Sequence, residues 1–299
     1  MELCEEKDSQ DHDDRMRELV KYFIYGSWWV ALCAATMGLI TWFELTGTWW
    51  NTPLFIFILG ATLVIYNMNM LSGLNELRDM GTDSERHHWC MANERKMNVT
   101  LIIGLLMVAS SVWFLNRTIW LLMLPMSLVA AAYVMPIIRK NTDKIRIREI
   151  GLLKIFLIAV IWAGMTVILP AVHLYGFGQI TEVLTWQLAI ERSLFILAIT
   201  IPFDVRDLIN DAKKKVRTLP SVLGWKKSIL LAEALLFLFG LLIYFRLGTG
   251  NPLLIGYLLS VLLTAIIVGF ATPNRNDTYC SFWIEGTMLA QFISILIFI

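Results

Sequence analysis

Long apolar runs separated by short polar segments extend over almost the whole chain. A helix needs about 20 mostly apolar residues to cross a bilayer, and Gly, Pro and Asn separate several of these runs, as turns require. The pattern predicts an all-α integral membrane protein with nine transmembrane helices, of which the fourth and sixth are interrupted by proline. The predicted spans are Tyr22–Phe43, Pro53–Leu74, Val99–Leu115, Ile119–Ile138, Leu152–Val172, Trp186–Phe203, Ser228–Phe245, Pro252–Ala271 and Phe282–Ile299.

The composition supports this class and excludes a soluble enzyme. Hydrophobic residues make up 57% of the 299 positions and charged residues only 16%, against about 45–50% and 25% in soluble domains. The net charge of +1 gives no overall field that would attract nucleic acid. Seven of the first fourteen residues are acidic, which predicts a disordered tail over residues 1–18. Residues 19–299 then form the membrane domain.

The positive charges lie mainly on one side of the predicted bundle. Of the 25 Lys and Arg residues, 21 fall in the N-terminal segment and in the loops after even-numbered spans. The positive-inside rule then places these segments in the cytoplasm, with the C-terminus outside, and the cell membrane is the expected location. Charged residues within spans are candidates for function. Lys154 is equally compatible with a structural role and with an anion contact, whereas Glu191 and Arg192 are expected at the outer interface.

Two acidic motifs follow the second and sixth spans. Asn75, Asp79 and Asp83 are spaced by four residues, and steps of three and four separate the members of the second motif, Asp204, Asp207 and Asp211. Such spacing places side chains on one face of a helix. Asp79 and Asp207 are separated by 128 residues, as are Asp83 and Asp211, and basic residues follow both motifs. The register indicates a repeat of four helices.

Crowded carboxylates repel each other and are costly near hydrocarbon unless a cation compensates them. Mg²⁺ accepts one or two carboxylates and completes its coordination with water and phosphate oxygens. Two facing acidic motifs beside Lys and Arg therefore favour a site for a metal and a diphosphate. The alternative for each motif is a helix end with solvated charges, but the shared register makes that alternative weaker for the pair.

At these residues the chain resembles the UbiA superfamily of intramembrane prenyltransferases. The first motif is similar to the family's N-D-x-x-D-x-x-x-D pattern, with Glu76 in place of the usual Asp. The second continues into Asp211-Ala-Lys213 and Val216-Arg217-Thr-Leu-Pro220, similar to the family's D-x-K-x-G-V-R-T-L-P, with Lys215 in place of Gly. A third likeness is Tyr133-Val-Met-Pro136-Ile-Ile-Arg139-Lys140. The resemblance implies nine helices around a central cavity.

The resemblance also implies a reaction, namely transfer of an isoprenoid chain from its diphosphate to an acceptor, with Mg²⁺ as cofactor. Asp79 and Asp207 are the expected catalytic residues. The expected metal ligands, or groups supporting them, are Asn75, Asp79, Asp83, Asp204, Asp207 and Asp211. The expected diphosphate contacts are Arg86, Arg139, Lys213, Arg217 and Lys154. The partners would be a prenyl diphosphate donor, an unidentified hydrophobic acceptor and the lipid bilayer, without nucleic acid.

Two other functions remain open at this stage. A terpene cyclase on the same fold would capture the prenyl cation internally and need no acceptor. A transporter or binding scaffold would use the paired acids for a cation without chemistry. Transporter sites usually lie near the midplane of the bilayer, whereas these acids follow the cytoplasmic ends of their spans, which favours the enzyme.

Overall fold

The computed structural model describes residues 2–81, 84–134, 138–140, 143–145, 151–213 and 216–299. Helices account for nearly all of this structure, which also contains one short β-hairpin. In chain order the elements are α1 (Glu2–Tyr25), α2 (Trp28–Thr46), α3 (Thr52–Leu71), α4 (Leu74–Met80), α5 (Glu85–Ala92), α6 (Glu94–Ser111), α7 (Ile119–Val134), β1 (Ile138–Lys140), β2 (Asp143–Ile145), α8 (Gly151–Ala163), α9 (Leu169–Tyr175), α10 (Val183–Arg206), α11 (Leu208–Lys213), α12 (Leu219–Leu223), α13 (Trp225–Leu247), α14 (Pro252–Gly269) and α15 (Glu285–Ile297). Two π-helical segments, Gly164–Ile168 and Tyr279–Ile284, precede α9 and α15.

Seven helical segments within the described residues are long and apolar enough to cross a membrane. They are Trp28–Thr46, Thr52–Leu71, Glu94–Phe114, Leu153–Tyr175, Trp225–Leu247, Pro252–Gly269 and Tyr279–Ile297. The two other predicted spans correspond to α7, whose apolar part is shorter, and to α10, which contains charged residues. The count of nine therefore stays a prediction.

The N-terminal segment is helical where we expected disorder. Helix α1 includes the acidic stretch and ends at Tyr25. The segment contains neither Gly nor Pro, and its acids precede the bases Arg15, Arg17 and Lys21, which is the favourable order for the helix dipole. The chain then breaks at Gly26 and Ser27, where Ser27 has a φ of 71°. The first apolar span consequently begins at Trp28, six residues later than predicted.

The long helices pack around one another in a ring. Neighbouring pairs run in the order α6, α3, α2, α15, α14, α13, α10 and α8, and α7 packs against α3 and α9. Helix α2 is buried almost continuously from Val30 to Thr41, as expected for a helix that is apolar all round. Gly60 and Gly104 let α3 and α6 approach closely, since a Cβ on Gly60 would lie 2.8 Å from the Gly104 carbonyl oxygen. The result is a close-packed bundle with a cavity inside it.

The all-helical prediction is confirmed, and one short hairpin lies between α7 and α8. Strands β1 and β2 pair antiparallel, with Arg139 opposite Lys144. The predicted fourth span reached Ile138, but α7 ends at Val134. Pro136 follows closely, and a proline disfavours helical backbone at the residue before it.

Two charged residues that we expected near the outer membrane interface are buried between helices. Glu191 and Arg192 are 4% and 6% exposed. The guanidinium of Arg246 donates hydrogen bonds to both carboxylate oxygens of Glu191, at 2.7 and 2.8 Å, and to Glu44 at 2.8 Å. Arg192 donates to the Thr166 hydroxyl at 3.3 Å. We call Glu44, Glu191, Arg192 and Arg246 the buried charge network.

Candidate active site

A cavity of about 250 Å³ lies between α2, α3, α8, α10 and α15. Five charged residues, which we call the charged mouth, line one end of it. They are Arg86, Lys154, Asp204, Asp207 and Glu285. The rest of the lining is mostly aliphatic, with a few hydroxyl and amide groups and the aromatic rings of Tyr66, Trp162 and Phe203. The cavity is therefore suited to a ligand with an anionic head and an apolar tail.

The last turn of α10 brings Asp204 to the charged mouth. Its side chain is only 2% exposed, and its Oδ1 atom accepts a hydrogen bond from Lys154 Nζ at 2.8 Å. Its Oδ2 atom is buried without a hydrogen-bond partner among the described residues. A carboxylate at a helix C-terminus opposes the helix dipole. The Lys154 ammonium compensates for that cost and fixes one oxygen, which leaves the other available.

Asp207 lies three residues further on, at the C-cap of α10. Arg206 donates to both of its carboxylate oxygens, at 2.8 and 3.2 Å. Burial raises the pKa of Asp207, but the charge and hydrogen bonds of Arg206 outweigh it and hold that pKa below its usual range. The same pair raises the pKa of Arg206 although burial opposes this. Asp207 is therefore ionised at neutral pH and held in one orientation.

The opposite wall of the charged mouth is built by α5. Arg86 lines the cavity, and its Nε atom is buried without a hydrogen-bond partner among the described residues. Asp277, in the loop between α14 and α15, accepts from the Ser84 hydroxyl at 2.7 Å and from the Arg86 backbone N–H at 3.1 Å. Its other oxygen lies 3.3 Å from Arg206 Nη1. Asp277 thus joins the start of α5 to the arginine that orients Asp207.

Glu285 contributes a third carboxylate to the charged mouth. It begins α15, directly after the π-helical segment Tyr279–Ile284. The residue is 7% exposed and faces the cavity. No hydrogen bond or ion pair joins its carboxylate to another part of the chain that the structure describes. A buried carboxylate without a partner is costly, which marks Glu285 as a candidate ligand-binding group.

The structure brings together only part of the predicted site. Of the predicted residues, Asp204, Asp207, Lys154 and Arg86 line the cavity. Asn75 and Asp79 are exposed on α4 and do not line it, and Asn75 accepts a hydrogen bond from Arg78 at 3.2 Å. Asp211 and Arg217 also lie outside the lining. Asp83 and the side chains of Arg139 and Lys213 lie outside the described residues.

Sequence reasoning missed Arg206, Asp277 and Glu285 as members of this site. Glu285 was detectable, because an ionisable residue inside an apolar span is by default a functional candidate. The sequence identified Arg206 only as one of several basic residues in the loop after the sixth predicted span. Asp277 gave no signal, since its partners Ser84 and Arg206 are remote in the chain.

The second acidic motif fits Mg²⁺, whereas the first does not contribute within the described cavity. In that part of the chain, no group of three or more His, Cys, Asp or Glu side chains is placed to hold a metal. Mg²⁺ bound beside phosphates needs only one or two carboxylates. The free Oδ2 of Asp204 and the oriented carboxylate of Asp207 meet that requirement. A metal here would be shared with a phosphate-bearing ligand.

The fold and the cavity together define a multi-pass membrane protein with an amphipathic internal site. A sequence profile of the UbiA prenyltransferase family matches residues 92–284. The chain therefore belongs to the UbiA prenyltransferase family, as the motifs predicted. Comparison with curated protein sequences finds no match.

Solved structures share the fold at low sequence identity. A UbiA homolog from Aeropyrum pernix K1 superposes with a TM-score of 0.62 at 14% identity, covering 89% of this chain and 97% of that one. A UbiA homolog from Archaeoglobus fulgidus, bound to GPP and Mg²⁺, gives 0.61 at 13% identity, covering 93% and 98%. A digeranylgeranylglyceryl phosphate synthase gives 0.56 at 15% identity, covering 94% and 98%.

Proposed function

We propose that this chain transfers a prenyl group from a prenyl diphosphate to a small acceptor, such as an aromatic one, or to a lipid acceptor inside the membrane, with Mg²⁺ as cofactor. The observation that supports this most directly is the division of the cavity. Its charged mouth has carboxylates for a metal and cations for a diphosphate, and an apolar, partly aromatic chamber continues from it. The family and the GPP- and Mg²⁺-bound relative support the same chemistry.

The residues of the charged mouth have separate roles in this proposal. Asp204 and Asp207 would hold Mg²⁺, which when bound neutralises the charge that develops on the leaving diphosphate. Arg86 and Lys154 would bind phosphate oxygens and orient the donor. Removal of the prenyl group from its diphosphate leaves an allylic cation, and the faces of Tyr66, Trp162 and Phe203 are suited to stabilise it while water is excluded.

Glu285 completes the proposal on the acceptor side. The acceptor must lose a proton when its new bond to the prenyl carbon forms, and a general base must lie within reach of that proton. Glu285 is the cavity carboxylate that no basic side chain holds in the described structure. We assign it that role. The chain's own motifs do not identify the acceptor, and the opening of the charged mouth to the cytoplasm follows from the distribution of basic loops.

The decisive experiment is a turnover assay with purified protein. The protein is incubated with dimethylallyl, geranyl, farnesyl or geranylgeranyl diphosphate and a membrane lipid extract, with Mg²⁺ or with excess EDTA. We expect Mg²⁺-dependent diphosphate release, which EDTA abolishes, and a prenylated acceptor in the mass spectrum. A cyclic hydrocarbon formed from the donor alone would indicate the terpene cyclase. Absence of turnover with every donor, together with Mg²⁺-insensitive binding, would favour a scaffold.

Asp277 provides a test of how the charged mouth is positioned. We expect Asp277→Asn to weaken Mg²⁺-dependent donor binding about tenfold, because a charge-assisted contact of about 1.5–3 kcal/mol to Arg206 is lost. The measurement is the thermal midpoint of the purified protein at increasing concentrations of the donor in the presence of Mg²⁺. Glu94→Gln is the matched control, since it removes the exposed contact with Arg78 at 2.6 Å. Unchanged donor binding in Asp277→Asn would show that Asp277 has no positioning role.

A further inference from the structure

Polar groups lie at and beyond the apolar end of the cavity. Thr166 and Ile196 are the lining residues furthest from the charged mouth on their two segments. Arg192 lies one turn beyond Ile196 on α10 and donates a hydrogen bond to the Thr166 hydroxyl at 3.3 Å. We call Thr166 and Arg192 the polar floor. A hydrocarbon tail that follows α10 from Asp204 reaches Ile196, the last lining residue of that helix, after about two turns, and Arg192 lies one turn further on.

Contacts on the side away from the cavity hold the polar floor in place. Arg192 is 6% exposed and also lies 3.5 Å from the Thr41 hydroxyl of α2. Its neighbour Glu191 accepts two hydrogen bonds from Arg246, which also contacts Glu44. Moving Arg192 aside would break its contacts with Thr41 on α2 and with Thr166 on the π-helical segment Gly164–Ile168. Because charged groups are costly to bury without partners, a prenyl tail has little means of displacing the floor.

The geometry sets the length that the cavity offers to a prenyl tail. Asp204 and Ile196 are eight residues apart on α10, which corresponds to about 12 Å at about 1.5 Å per residue. The cavity volume of about 250 Å³ is also small, since pockets for drug-sized ligands have about 300–1,000 Å³. These dimensions suit a chain of one or two isoprene units better than one of four.

We propose that the polar floor limits the donor to short prenyl diphosphates, with Arg192 as the residue that determines chain length. This inference rests on the proposed function, because it assumes that the diphosphate lies at the charged mouth. Its alternative is a tail that leaves the cavity sideways into the bilayer. In that case chain length would not matter.

The experiment measures donor binding rather than turnover. Thiolodiphosphate analogues of dimethylallyl, geranyl and geranylgeranyl diphosphate, which resist cleavage, are titrated against purified protein with Mg²⁺. We expect the wild-type chain to bind the geranyl analogue at least tenfold more tightly than the geranylgeranyl analogue. Affinities within threefold of each other would overturn the proposal. Failure to bind any analogue would instead contradict the proposed function itself.

Two variants test the floor from opposite directions. Arg192→Ala should tighten geranylgeranyl binding at least tenfold and leave geranyl binding within threefold. Ile196→Phe should shorten the cavity, so that geranyl binding weakens about tenfold while dimethylallyl binding is retained. Ser193→Ala is the control on the same helix, because the Ser193 hydroxyl donates a hydrogen bond to the Ala189 carbonyl oxygen at 2.8 Å and to no other group among the described residues. If Arg192→Ala does not fold, Ile196→Phe and the wild-type series still test whether the length of the cavity limits the donor. Equal changes for all three analogues would overturn the proposal.

Discussion

Replacing Asp207 by Asn should reduce prenyl transfer by roughly 100- to 1,000-fold, the size of effect that the loss of one preorganised electrostatic contact produces. The substitution keeps the shape of the side chain but removes the charge that we propose holds Mg²⁺. Arg206 would lose its ionised partner but keep its contact with Asp277. We therefore expect a folded protein with normal thermal stability and greatly reduced turnover. Steady-state kinetics with the best donor give the measurement.

The first acidic motif supplies the matched variant. Asp79→Asn makes the same chemical change on an exposed carboxylate of α4 that does not line the cavity. We expect Asp79→Asn to lower turnover much less than Asp207→Asn. An equally large loss in Asp79→Asn would show that the first motif reaches the metal when the donor binds, as the sequence motif alone had predicted. Full activity in Asp207→Asn would place the metal elsewhere.

Replacing Arg246 by Met should be the most destabilising change in the buried charge network. Arg246 is the direct partner of both Glu44 and Glu191, whose side chains are 4% and 6% exposed. Removing one partner of a buried ion pair costs about 3–5 kcal/mol, since it leaves an uncompensated charge. We expect the thermal midpoint to fall by about 6 °C or more, at about 2–4 °C per kcal/mol.

An exposed ion pair gives the control for this prediction. Arg78 and Glu94 approach to 2.6 Å, but their side chains are 44% and 45% exposed. Such surface pairs contribute about 0–1 kcal/mol, and Arg78→Met should change the midpoint little. Adding Glu191→Gln to Arg246→Met should restore part of the lost stability, because it removes one unpaired charge. Equal midpoints for Arg246→Met and Arg78→Met would contradict the role of the network.

The sequence was most informative where function depends on local spacing. Asp204 and Asp207 lie three residues apart on one helix, so their shared face was predictable without knowing the fold. The apolar runs located seven membrane-crossing helices, because hydropathy reflects burial in lipid directly. The break at Ser27 and the helix over the acidic N-terminus were missed, since both depend on backbone preferences that the charge pattern conceals.

The remaining errors concern contacts between distant segments. The burial of Arg192 and Glu191 between helices was not predictable, because Glu44 and Arg246, which compensate the local charge, lie far away in the chain. Asp277 was missed for the same reason. The role of the first acidic motif stays a prediction, because α4 places Asn75 and Asp79 outside the cavity lining and Asp83 lies outside the described residues. Spacing predicts which side chains share a face, but not what that face meets.

The pairing of Glu44 with Arg246 also bears on how the protein is assembled at the ribosome. The two residues are separated by 202 positions. At a synthesis rate of about 5–20 residues per second, Glu44 is made roughly 10–40 s before its partner. Throughout that interval the Glu44 carboxylate lacks the ion-pair partner that it has in the folded protein. We therefore expect the helix that contains Glu44 to reach its final packing only after the helix that contains Arg246 has been made.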